Sequence, residues 1–251
     1  MAEEGKYIYC ITEEAGEDTF GGLGIGGRGD ALRLIRYRDI GAVVSDAAVR
    51  RYPVSRENSL AHERAIEAVF KDHTVLPVRF CTIAEDEAKV RVILEREYAE
   101  FKGLLERMRG RVELGLKAIF REEWIYREIA ERHAEIKERK QAVASLPPQQ
   151  AHWALVEIGK MVEMALQVEK DRVRGEIVEA LKGACHDFRL TDRILGERMI
   201  LNAAFLVDRA HEAEFDRKVD ALGDRYEEQV KFKYVGGFPP FNFVCLTITL
   251  D

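Results

Sequence analysis

Around residues 109–111 the apolar residues change their spacing. Upstream, Val90, Leu94, Phe101, Leu105 and Met108 recur at three- and four-residue steps, the spacing of one buried helix face. Downstream, Val112, Leu114, Leu116 and Ala118 alternate with Glu113, Gly115 and Lys117, the two-residue period of a half-buried strand. The sequence therefore predicts a helix over residues 85–109 that hands over to a strand over 111–120. A domain boundary is placed at this change, dividing the chain into 1–110 and 111–251.

The first part opens with a strand at Lys6-Tyr7-Ile8-Tyr9-Cys10-Ile11-Thr12, rich in β-formers. A glycine-dense stretch from Glu13 to Asp30 reads as a loop. Segments 31–37 and 40–45 are separated only by Arg38-Asp39 and are expected to form an antiparallel hairpin. Ser55 is placed as the N-cap of a helix running to about Asp72, with Leu60, Ile66, Val69 and Phe70 on its apolar stripe. Thr74 to Phe80 reads as a strand. Pro77 lacks an amide donor and so favours an edge or a bend.

The second part reads strand (111–120), helix (121–143), helix (149–184), strand (186–190), strand (198–207), helix (212–227) and strand (229–235). Leu146-Pro147-Pro148 separates the two long helices, because proline cannot continue a helical ladder. On the second of them, Trp153, Val156, Met161, Met164, Ala165 and Val168 are the expected apolar positions. Gly236 to Pro240 is expected to be a rigid turn, and Phe241 to Leu250 a terminal β-rich segment. The fold class is α+β with two domains. The C-terminal one has the β-α-β-β-α-β order of a ferredoxin-like fold, modified by a helical extension at about 121–146. The segment 236–251 is expected to return to the N-terminal domain.

Composition removes whole classes of function. Hydrophobic residues make up 47% of the 251 and charged residues 33%, which suits globular cores rather than a disordered chain. The net charge of −6 lacks the basic excess that neutralises phosphates, so no nucleic-acid partner is expected. No apolar run approaches the ~20 residues that span a bilayer, so no membrane partner is expected either. The N-terminus begins acidic and lacks the basic start and longer apolar run of a signal peptide, so secretion is not indicated. Cys10, Cys81, Cys185 and Cys245 are far apart and form no CxxC pair. They are expected to be reduced thiols of a cytoplasmic protein, with no metal site and no cofactor.

The remaining motifs are weak as chemistry. Gly24-Ile25-Gly26-Gly27-Arg28-Gly29 matches GxGxxG. A dinucleotide site must follow a strand directly and open a helix, and here a long loop precedes it and a strand follows. It is expected to be a surface loop. His62-Glu63-Arg64-Ala65-Ile66 starts like the zinc motif HExxH, but Ile66 stands where the second histidine is needed. His62 is expected to bond to a neighbour in the core. Cys81, near Arg79 and His73, is the best available nucleophile, and a packing role fits it better. The charged helix around Glu131 to Lys140 is read as a solvated face or, alternatively, a partner-binding helix.

Two spellings are distinctive: Val75-Leu76-Pro77-Val78-Arg79-Phe80-Cys81-Thr82, after a helix holding Ala61-His62-Glu63, and Gly236-Gly237-Phe238-Pro239-Pro240-Phe241-Asn242-Phe243-Val244. With Tyr7-Ile8-Tyr9 and Ile40 to Ser45, they resemble the gas vesicle protein F/L family (GvpF/GvpL) from about Lys6 to Leu250. The family reads VLPxRFGT at the first place and GPWPPYxF at the second. Cys81 stands for its glycine, and Gly237, Phe238 and Phe241 for its proline, tryptophan and tyrosine.

The resemblance implies a non-enzymatic accessory or minor structural protein of gas vesicle formation. It would be cytoplasmic and associated with the vesicle. Its partners would be the small hydrophobic shell protein (GvpA) and other accessory gas vesicle proteins. The resemblance also implies two α+β domains, the second a modified ferredoxin-like fold with a helical extension. Pro77, Arg79, Phe80, Phe238, Pro239, Pro240 and Phe241 are the candidate residues for partner binding or for fixing the domains. An open sheet edge at Pro77, at Asn242–Leu250 or in a groove near them is the expected contact. The alternative is a ferredoxin-like small-ligand regulatory module, or an enzyme with a site near His62, Arg79 and Cys81.

Overall fold

The computed structural model describes residues 3–13, 16, 19–20, 24–191 and 196–249. These divide into two compact units, one of residues 1–113 with 237–251, the other of residues 114–236. Within the glycine-dense loop, residues 14, 15, 17, 18 and 21–23 lie outside the described set, as does Leu250 of the expected terminal β segment.

The first unit is organised on strand β1 (Glu4–Glu13). Its core from Tyr7 to Thr12 is buried on both faces, as a near-continuous apolar run requires. It pairs antiparallel with β3 (Ile40–Ala48), which forms the expected hairpin with β2 (Arg33–Tyr37). On its other side β1 pairs with β4 (Val75–Pro77) and, nearer its start, with β5 (Ile83–Ala84). The sheet order is β2-β3-β1-β4, with β5 beside β1. Two residues are too few to show a period, so β5 is invisible in the sequence.

Helix α1 (Arg56–Phe70) starts where expected, with the Ser55 hydroxyl accepting from the Asn58 amide at 3.2 Å. Its buried face is His62, Ala65, Ile66, Val69 and Phe70. Leu60, expected on that face, is only half-buried, and His62 belongs to it instead. The expected single helix over 85–109 is two: α2 (Glu87–Arg96) and α3 (Tyr98–Met108). Glu97 leaves helical geometry at φ −99°, ψ 11°. Neither glycine nor proline marks the break. Beyond it, the Tyr98 hydroxyl and Lys102 ammonium both reach the Asp39 carboxylate at the β2–β3 turn, at 2.5 and 2.6 Å. This long-range tie is not readable from helix spacing.

The second unit holds β6 (Arg111–Phe120), β7 (Asp187–Leu190), β8 (Met199–Asp208) and β9 (Val230–Phe238) in the order β7-β8-β6-β9. Helix α7 (Glu212–Arg225) lies between β8 and β9 in the chain. Between β6 and β7 come α4 (Glu122–Arg132), α5 (Ala134–Val143) and α6 (Pro148–Lys182). The expected helix over 121–143 is thus broken at His133, whose φ of −109° and ψ of 83° are not helical.

Helix α6 corrects a further expectation. Its buried residues include Ile158, Ala165, Leu166, Val173, Ile177 and Leu181. Of the apolar positions anticipated from sequence, only Ala165 is buried, and Trp153, Val156, Met164 and Val168 are exposed. The helix is apolar on two faces, and periodicity cannot say which one the neighbouring helices cover.

The expected turn at 236–240 is also shifted. β9 runs on through Gly236 and Gly237 to Phe238, and the turn begins at Pro239, whose carbonyl accepts the Phe241 amide at 2.7 Å. A side chain would not fit at Gly236, since a Cβ there would come within 2.4 Å of the Leu114 Cδ2. The terminal segment is not a β strand. Its one bridge among the described residues is from Leu246 to Val78.

Gly5 of β1 sets how closely β5 approaches. A Cβ at Gly5 would lie 2.4 Å from the Ala84 carbonyl oxygen and 2.8 Å from Val49 Cγ2. Backbone cannot rotate aside, so Gly5→Ala is expected to cost about 1–3 kcal/mol through overpacking. Urea unfolding reads this as a lowered midpoint.

Candidate functional site

Apart from Gly236, both distinctive motifs fall in the first unit, and β1 supplies the groups that hold the first. Tyr7 and Tyr9 are two residues apart and so share a strand face, with ring centroids 4.8 Å apart. The His62 ring packs 5.7 Å from each and 5.6 Å from Phe80. His62 Nε2 lies 3.1 Å from the Val78 carbonyl, which can only accept, so Nε2 carries the proton. Nδ1 is then a lone pair, and the Tyr7 hydroxyl donates to it at 3.1 Å. The Tyr7 oxygen in turn accepts the Cys81 amide at 2.8 Å. Burial pushes the His62 imidazole down from 6.5 to about 4, which keeps it neutral. The same burial pushes the Tyr7 phenol up.

This chain of bonds fixes the segment after β4. The Val78 amide donates to the Tyr9 carbonyl, and the Thr82 carbonyl accepts the Ile8 amide, both at 2.9 Å. The Thr82 hydroxyl donates to the Arg79 carbonyl at 2.7 Å. The tight turn so made puts Cys81 at φ 68°, a left-handed conformation that glycine adopts without penalty. That is the physical reason a glycine suits the place Cys81 holds. The Cys81 sulfur accepts the Tyr52 amide at 3.2 Å.

The second motif is a turn held by a buried acid. Glu113, 5% exposed, accepts from the Asn242 amide at 2.7 Å and the Asn242 side-chain NH₂ at 2.5 Å. Past this turn, the Leu246 amide donates to the Pro77 carbonyl at 2.8 Å and the Arg79 amide to the Leu246 carbonyl at 2.9 Å. The segment that follows the second motif therefore pairs along Pro77–Arg79. This overturns the expectation of an open edge there, since each candidate edge covers the other.

Among the candidate residues, Pro77, Pro239 and Pro240 are buried, and Phe80, Phe238 and Phe241 are half-buried. Arg79 is exposed and makes no ion pair among the described residues.

The alternative site at His62, Arg79 and Cys81 is not assembled as chemistry. Both His62 nitrogens are occupied, so no base is left for a nucleophile, and the Cys81 sulfur is bound to backbone. The GxGxxG stretch is a loop with a short 3₁₀ turn, and its Ile25 amide is given to the Tyr9 hydroxyl at 2.7 Å. Among the described residues no cluster of histidine, cysteine or carboxylate is arranged to hold a metal ion, and no helix is long and apolar enough to cross a membrane.

Beside β5 lies a recess of about 190 Å³. Val49, Ile83, Ala84, Val92 and Ile93 make its aliphatic walls, with Glu85, Lys89, Arg96 and Thr249 as its polar groups. β5 directly follows the first motif, and Thr249 belongs to the segment that follows the second. The Arg96 guanidinium donates to the Thr249 carbonyl at 2.9 Å and so ties that segment to α2. The walls carry no catalytic set; they suit apolar side chains. Val92 lies off the buried stripe of α2, so periodicity marks it only as surface.

A family model described as gas vesicle synthesis protein GvpL/GvpF matches residues 5–245. Gas vesicle protein F of Nostoc sp. is 24% identical over 206 residues, 81% of this chain and 83% of that protein. Gas vesicle protein L of Streptomyces sp. is 28% identical over 260 residues, 95% of this chain and 92% of that protein. The crystal structure of the gas vesicle protein GvpF from Anabaena sp. superposes with a TM-score of 0.82 at 22% identity, covering 97% of this chain and 99% of that one. The last likeness shows a common fold.

Two outcomes test the buried network. Tyr7→Phe strands the Cys81 amide and the His62 lone pair, and is expected to cost about 1–3 kcal/mol in chemical denaturation. His62 also makes stability depend on pH. The unfolded chain protonates it near 6.5 and the folded chain only near 4. Between these values the unfolded state holds more protons, so stability falls as pH is lowered, by about 3 kcal/mol in all, and levels off below 4. Urea titrations at pH 7 and pH 4.5 should show a smaller difference for His62→Gln than for the natural chain.

Proposed function

Because the chain belongs to the gas vesicle synthesis protein GvpL/GvpF family, we propose that it is a non-enzymatic accessory protein of gas vesicle formation that binds the small hydrophobic shell protein, GvpA, during assembly. Other accessory gas vesicle proteins are its further partners, and it works in the cytoplasm, associated with the vesicle. Family membership carries this reading, and the aliphatic recess beside β5 supports the place of the contact. A shell subunit with an apolar face needs that face covered before it polymerises. Each aliphatic side chain seated in the recess contributes about 1.5–3 kcal/mol. Among the described residues β5 pairs only with β1, so its outer backbone stands beside the recess and can add a strand from the client.

The finer architecture belongs to the same reading. The second part of the chain, 111–251, is a modified ferredoxin-like domain carrying a helical extension at about 121–146, after an α+β domain over 1–110. The order β7-β8-β6-β9, with helices between β6 and β7 and between β8 and β9, supports it. Pro77, Arg79 and Phe80, with Phe238 to Phe241, act by holding the walls of the recess in place.

Capture of purified shell protein tests the site. Val92 is 55% exposed at the recess, so Val92→Glu should leave the far-UV circular dichroism and thermal midpoint unchanged. Capture is expected to fall about tenfold or more, since a carboxylate buried without a partner is costly. Capture at the natural level by Val92→Glu would overturn the proposed contact.

A further inference from the structure

Helix α6, helix α4 and the residues leading into β8 line a second recess, of about 410 Å³, within the second unit. Lys170 stands at its base. The residue is only 7% exposed, and no described residue gives its ammonium a hydrogen bond or an ion pair. A lysine so deep is ordinarily paired, because an ammonium taken out of water costs free energy unless something bonds to it. Here the side chain lines the recess instead.

The rim carries the opposite charge. Glu163 and Glu197 line the recess and are exposed, and neither makes an ion pair among the described residues. Helix geometry keeps Lys170 off Glu163. Seven residues are two turns, about 10.5 Å along the axis, whereas ion pairs on one helix form at three or four residues. A long side chain leans towards the N-terminus of its helix, so Lys170 leans along the recess towards the rim and stops short of it. Val162 and Leu166 of α6 and Tyr126 of α4 line the same space with apolar surface.

We propose that this recess binds a free α-amino acid with an apolar side chain. Its carboxylate meets the Lys170 ammonium, its ammonium meets Glu163 and Glu197, and its side chain lies against Val162, Leu166 and Tyr126. Charge decides between the classes of ligand. A plain anion satisfies Lys170 but sits against two carboxylates. A plain cation satisfies the rim and leaves the deep ammonium unpaired. A zwitterion answers both, and the walls then favour an apolar side chain over a polar one.

Isothermal titration calorimetry of the full chain with L-leucine tests the site. The analogue 4-methylpentanoate has the same skeleton without the ammonium, and 3-methylbutylamine has it without the carboxylate. Leucine is expected to bind with a Kd of about 1 mM or tighter, and each analogue about tenfold or more weakly. Lys170→Met keeps the apolar stem and removes the unpaired charge, so circular dichroism and the thermal midpoint should hold. Leucine affinity should fall about tenfold or more in that variant. Glu163→Gln combined with Glu197→Gln, both on the exposed rim, should weaken leucine and strengthen 4-methylpentanoate, a reversal that damage to the fold does not produce. No binding of leucine up to about 50 mM would overturn the proposal, and so would a leucine affinity that both variants leave unchanged. Binding of 4-methylpentanoate or inorganic phosphate as tight as that of leucine means a simple anion site. Binding of 3-methylbutylamine as tight as that of leucine, indifferent to Lys170→Met, means a cation site. Either result overturns the zwitterion site equally.

Discussion

The hydrogen-bonded chain from Val78 through His62 and Tyr7 to Cys81 is the interaction on which the first unit turns. It joins a helix, the central strand and the loop after β4. Each member is satisfied only because the next is present. A neutral histidine is suited to this place, since it both donates and accepts, and burial holds it neutral at ordinary pH. With the loop fixed, the Pro77 carbonyl and Arg79 amide stand in line to take Leu246. The C-terminal segment is therefore anchored at one remove by a bond between an imidazole and a phenol.

The distinctive spellings are accounts of backbone geometry. Pro77 ends the ladder with β1, Cys81 takes the left-handed turn, and the prolines at 239 and 240 start the turn that Glu113 closes onto Asn242. None of these roles is chemical. A recess with aliphatic walls lies beside β5, the short strand that follows the first of the two spellings. The gas vesicle role rests on family membership.

Helix α6 divides labour differently. Its interior face builds the second unit, while its outward ridge is apolar at a cost in exposed surface that the unit's own packing does not explain. Surfaces of that kind persist where a partner covers them.

By itself the sequence determined what local physics determines. The alternating run at 112–118, the cap at Ser55 and the apolar opening strand each named their element, because side-chain spacing and capping act within a few residues. The place of His62 as a core residue was legible in the failure of the zinc motif around it. Tertiary structure alone decided the rest. The breaks at Glu97 and His133 carry no glycine or proline. The choice between two apolar faces of α6 depended on which neighbours arrived. The segment that follows the second proline motif paired along the first, closing an edge that each alone left open, because Leu246 pairs with residues 77–79 across more than half the chain. Periodicity records that a face is apolar; only packing against other elements settles what covers it.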